Sequence, residues 1–139
     1  MIKLGIDCKL FRGEAGEEAK TLVENIKDVS LNMETSEADV TTRKAEGWKL
    51  SVATLKDASI EATILYDTDD DDYNAFCTAF MNKTPVALFV TDGDGTGLDA
   101  DFSITNFSME QPLEEAVTVS VTFKPTMVSR KPQWKTKSA

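Results

Sequence analysis

A chain of 139 residues, 41% of them apolar, has the length of one domain and can bury roughly two-thirds of the surface that its unfolded form exposes, so a single core suffices. Its apolar residues come in short runs, far below the roughly 20 that cross a bilayer as a helix, and its net charge of −9 sets it against polyanionic partners. With no histidine at all, Ser-His and Cys-His nucleophile pairs and the commonest transition-metal ligand are excluded.

From the amino end, Met1 to Cys8 carry charges at Lys3 and Asp7, so they lack the unbroken apolar stretch of a signal peptide, and export by that route is not expected. Leu4, Ile6, Cys8 and Leu10 alternate and predict a first strand, followed by an acidic, glycine-containing loop from Arg12 to Lys20. A second strand sets Val29, Leu31 and Met33 on one face and Asp28, Ser30, Asn32 and Glu34 on the other. The apolar signal then disappears from Thr35 to Gly47, a polar stretch long enough to predict a functional or disordered loop. Trp48, Leu50, Val52 and Thr54 resume the alternation up to a turn at Lys56, Asp57 and Ala58, and Ile60, Ala62, Ile64 and Tyr66 mark the inward face of the next strand.

Tyr73, Phe76, Cys77 and Phe80 recur at helical spacing behind the carboxylates of Asp69 to Asp72, which suit the positive end of a helix dipole, and Asn82 and Pro85 end the pattern. Strands return at Val86 to Val90, Ala100 to Phe107 and Ala116 to Phe123, the last with Val117, Val119, Val121 and Phe123 inward and Thr118, Ser120 and Thr122 outward. About seven strands and one helix over about residues 70–82 predict a mainly β fold. It is an antiparallel β-sandwich or partial barrel flanked by the α-helix, with a long loop over about residues 35–47. Residues 1–126 read as a single β-rich domain and 127–139 as a basic, flexible tail. Up to Val128 the chain holds 11 basic against 24 acidic residues, while Arg130, Lys131, Lys135 and Lys137 fall in the last ten. Such a body repels phosphate backbones. The tail is either a solvated end or an arm that docks on the acidic body of a neighbouring copy.

Few residues announce chemistry. Cys8 and Cys77 both lie on apolar faces and are expected as buried reduced thiols, with no disulfide between them. Asp92, Asp94 and Thr96 supply oxygens at alternate positions of a glycine-rich segment, the way a calcium loop wraps a hard cation. Ser103, however, stands where such a loop places its bidentate glutamate, and strands flank the segment, so a Gly/Asp turn explains the same residues without a metal. The carboxylates from Asp67 to Asp72 are accounted for by helix capping. With 24 acids, a carboxylate pair at any hydrolase spacing arises by chance and is uninformative. No cofactor site emerges, and the chain is not expected to be an enzyme.

Glu37-Ala38-Asp39-Val40-Thr41-Thr42-Arg43, then Gly47-Trp48, then Val52 through Glu61, resemble the tail tube proteins of long-tailed bacteriophages. So does their setting, between Gly5-Ile6-Asp7-Cys8-Lys9-Leu10, Lys27-Asp28-Val29-Ser30-Leu31 and the closing Val119 to Pro125. Type VI secretion tubes are similar in fold. The resemblance implies a structural subunit that assembles with copies of itself into rings, commonly hexameric, which stack into a hollow tail tube. Other tail proteins would be its further partners, DNA only passing cargo, and no membrane anchor is implied. Its place would be a virion tail or phage-like particle made in the bacterial cytoplasm. On this reading the loop from Thr35 to Gly47 reaches across a subunit boundary, with Asp39 and Arg43 making charge-assisted contacts and Trp48 anchoring its return. The alternative has Asp39 and Arg43 bonding within their own loop and Trp48 in the core. Two other functions compete: a stand-alone calcium-binding β-domain with a ligand-binding role, and a carboxylate-based hydrolase.

Overall fold

A computed structural model describes residues 2–128 and 130–136. Its elements in chain order are β1 (Lys9–Glu14), β2 (Thr21–Leu22), β3 (Ile26–Asp39), β4 (Ser51–Leu65), α1 (Asp71–Asn82), β5 (Val86–Thr91), β6 (Gly97–Glu110), β7 (Thr118–Pro125) and β8 (Gln133–Lys135). Every strand pairing is antiparallel, in the order β2-β1-β5-β6-β7-β4-β3, with β8 also on β6. Strand β6 joins two layers. Its first half, Gly97 to Phe102, pairs with β5, its second half pairs with β7, and a bulge between Ile104 and Asn106 separates them. Leu10 and Leu88 from one layer and Ile60, Ala62, Ile64, Val119, Val121 and Phe123 from the other meet in one buried cluster. The sheet therefore folds over on itself as an open, partial barrel, as the alternating patterns predict.

The helix forms where its sequence signals place it. Asp70 caps it, its Oδ1 accepting from the Asp72 amide at 3.2 Å, and Lys83 ends it in the left-handed region at φ 57° ahead of Pro85. Its apolar stripe closes the core: the Phe76 ring packs edge-on to Phe123 at 5.3 Å, and Tyr73 lies 6.1 Å from Phe107.

Four local expectations are corrected. Leu4 to Cys8 do not begin the first strand. Gly5–Asp7 form a 3₁₀ turn, Leu4, Ile6 and Cys8 are exposed, and pairing starts at Lys9. The turn packs against Gly93, where a Cβ would stand 2.2 Å from the Asp7 carbonyl oxygen, so only glycine allows this approach. The polar stretch from Thr35 is strand as far as Asp39, and the connection proper is 40–50, with a 3₁₀ turn at Arg43–Ala45. No turn interrupts Lys56 to Ala58, because β4 runs through them. Three steps from Lys56 to Ala53 face two from Thr35 to Glu37, so the broken alternation is a β-bulge. Finally, the tail is held against the body. Gln133 to Lys135 pair with Asp99 to Gly97. Lys137 lies outside the described residues.

Candidate assembly surface

The hairpin of β3 and β4 leaves strand edges unpaired. Strand β7 pairs only with Ile60 to Leu65, so β4 from Ser51 to Ser59 has an open edge, and β3 is open along its outer edge as the last strand of the order. Ile60, Ala62 and Ile64 are buried where β7 covers them, whereas Ser51 to Asp57 are exposed on both faces. Two strands without a third are marginal in water. This arm nevertheless carries Val40, Leu50, Val52 and Leu55 exposed, and Trp48 is 74% exposed at its tip.

The sequence-predicted interface residues all sit at that end. Asp39 closes β3 and its Oδ1 accepts from the Thr41 amide at 2.9 Å. The Thr41 hydroxyl and amide hold the Asp39 carboxyl below the ordinary range. Thr41 in turn accepts from the Leu50 amide at 2.8 Å, which ties the two sides of the connection. Arg43 opens the 3₁₀ turn and makes no ion pair among the described residues. Trp48 is exposed and takes no part in the buried cluster. The arrangement brings Asp39, Arg43 and Trp48 to one exposed tip.

Behind the hairpin the same layer presents one continuous polar face. Cross-strand pairing puts Asp28, Thr63, Ser120 and Ser108 in one row and Ser30, Glu61, Thr122 and Asn106 in the next. Around them stand the acids Glu34, Asp57 and Glu110 and the cation Lys124, 3.7 Å from Asp57. The face is small-chained, hydroxyl-rich and negative.

The residues of the Gly/Asp-rich segment make local contacts. Asp92 Oδ1 accepts from the Asp94 amide at 2.9 Å and from the Thr96 amide at 3.4 Å, while Asp94 pairs with Lys3. The Asp94 amide, with Thr96 and Lys3 assisting, holds the Asp92 carboxyl low, as expected for a turn built on an aspartate. Among the described residues no group of three or more Cys, Asp or Glu side chains is placed to hold a metal ion. Cys8 and Cys77 are both free thiols. A cluster that sequence reasoning missed lies on β6. Asp99 and Asp101, 1% and 0% exposed, face the tail, where Arg130 stands 2.9 Å from Asp99 and 3.0 Å from Asp101, and Lys135 stands 2.8 Å from Asp99. Burial opposes the Arg130 charge, but the hydrogen bonds and charges of Asp101 and Asp99 outweigh it and leave the guanidinium raised. The hydrogen bond to Asp99 raises Lys135 as well. The only signal in the sequence was the alternation of the two aspartates with the apolar Leu98, Ala100 and Phe102.

Comparison with known proteins accords with this geometry. A family model described as phage tail tube protein matches residues 9–126. No curated protein matches by sequence. Among solved structures, the chain is similar to one from the tail of an empty gene transfer agent particle with C6 symmetry, at TM-score 0.77 and 15% identity over 96% of this chain and 98% of that one. It is also similar to a chain of the native gene transfer agent virion, at 0.74 and 14% over 91% and 96%. The SPP1 tail tube gives 0.72 and 12% over 89% and 76%. At these identities the likeness is one of fold.

Proposed function

This chain belongs to the phage tail tube protein family and is a structural subunit of a tail tube, and we propose that six copies close into a ring and that rings stack into a hollow conduit for DNA. The observation that carries the reading is the unpartnered hairpin. Its open edges need a strand to pair with, and a neighbouring copy supplies one while removing an aggregation hazard. The gene transfer agent tail with C6 symmetry supports the ring number. Asp39, Arg43 and Trp48 are the proposed boundary residues, with Trp48 the anchor that loses most water. The polar face of Ser108, Ser120, Thr63 and Asp28 is the proposed lumen wall, since small hydroxyls and net negative charge give phosphate nothing to hold. Other tail proteins would meet the ends of the tube, and the place of action is a virion tail or phage-like particle made in a bacterial cytoplasm.

Magnitudes set the expected behaviour. Burying Trp48, Leu55, Val52, Val40 and Leu50 stabilises a contact by about 1.5–3 kcal/mol per side chain. Association costs on the order of 4–15 kcal/mol. The two are comparable, so a single contact is weak and assembly depends on concentration. Negative-stain microscopy with sedimentation of dilute and concentrated protein tests this: a dilute monomer should give way to rings or tubes. A protein that stays monomeric at every concentration contradicts the proposal.

A further inference from the structure

The hairpin tip differs in charge from the rest of the molecule. Between Val40 and Leu50 stand Arg43, Lys44 and Lys49 against one acid, Glu46, in a chain of net charge −9. Among the described residues none of the three cations makes an ion pair. Trp48 stands exposed among them. At the opposite end of the strand order, the loop after β1 and the first turns of α1 enclose an open groove of about 720 Å³. Ala75, Ala79 and Pro85 contribute an apolar lining, and Glu14, Glu17 and Asp71 outnumber Lys20 around it. The other charges there are already committed, Arg12 to Asp72 and Glu18 to Lys135.

We propose that this groove receives the hairpin tip of another copy, with Trp48 against the alanine and proline lining and Arg43, Lys44 and Lys49 facing Glu14, Glu17 and Asp71. The inference rests on the self-assembly proposed above and names its acceptor surface. Opposite charges brought together in this way fix partner and orientation. Because tip and groove are different surfaces, every contact leaves one of each unfilled, and the contact propagates from copy to copy. That is the property a stacked tube needs and a closed dimer lacks.

A charge exchange tests it. The triple variant R43E/K44E/K49E should raise the concentration at which tubes appear by about ten-fold or more, since like charges then meet across the contact. Its melting temperature should stay at the wild-type value, because none of the three side chains is buried. Adding Glu14→Lys and Glu17→Lys in the same chain should restore tubes. Wild-type tubes alongside unimpaired assembly of the triple variant would overturn the tip contact and leave the tube function standing. A triple variant that fails and is not rescued by the two lysines would overturn the groove as acceptor. A wild-type protein that never assembles would instead sink the tube reading itself.

Discussion

Asp99 and Asp101 are two carboxylates on one face of a single strand, both buried, and the chain tolerates them because Arg130 and Lys135 come back to meet them. Removing one member of a buried pair costs more than the pair is worth, because the survivor stays desolvated. Arg130→Ala should therefore destabilise the protein by about 3–5 kcal/mol, whereas Lys131→Ala, exposed and without an ion pair among the described residues, should stay within about 0.5 kcal/mol. Urea midpoints of the two variants decide it, and equal midpoints would refute the clasp. Lys135 adds a pH signature. Its folded-state pKa is raised above the ordinary 10.5, so its contribution is complete below that value and is lost as pH climbs through the raised one. The emission of Trp134, followed in a Trp48→Phe background, should thus hold steady through neutral pH and change only in the alkaline range. Beyond the alternation of the two aspartates, none of this was legible in the sequence. The basic tail reads as a solvated end or an arm for a neighbour, and nothing in the strand pattern after the Gly/Asp-rich turn marks Asp99 and Asp101 as partners for it. Only the fold, which carries β8 along β6, brings positions some thirty residues apart into contact.

At the scale of elements, alternation and helical spacing foretold the β architecture and the single helix, because these patterns report burial directly. They failed where burial is absent. The hairpin beyond Ala58 has no covered face in the monomer, so its polar residues read as a loop and its bulge as a turn. Trp48, for which the sequence leaves open a place in the core or at a subunit boundary, is exposed at the tip. An arm that adds nothing to the core can be shortened without unfolding the molecule. Asp39 and Ser51 are direct cross-strand partners, so the connection 40–50 can be replaced by Asn-Gly, the two-residue turn that suits such a hairpin. We expect the shortened protein to melt within a few degrees of the wild type, remain monomeric by sedimentation and form no tubes. Tubes of normal length from that variant would show that the tip has no part in assembly.

For the whole molecule, the distribution of charge matters more than its total. Two of the tail cations, Arg130 and Lys135, are spent on the acids of β6, and the tip cations are set aside at the end of the hairpin. What is left on the face of β3, β4, β7 and β6 is mostly acidic, with Lys124 among the opposing charges. If that face lines the tube, its role is to keep DNA moving. Phosphates released from their counterions onto a basic wall would bind with an affinity that falls steeply with salt, and an acidic wall prevents this. Replacing Asp28 and Glu61 with lysine turns two acids of that face basic in every subunit, and the ring repeats the change around the whole circumference. Both side chains are exposed, so tubes should still form. DNA should then be retained by the variant tubes at low salt and released as salt rises, while wild-type tubes bind none at either. Wild-type tubes that capture DNA, or variant tubes that do not, would place this face on the outside, and the lumen wall would have to be sought on the layer of β1 and β5.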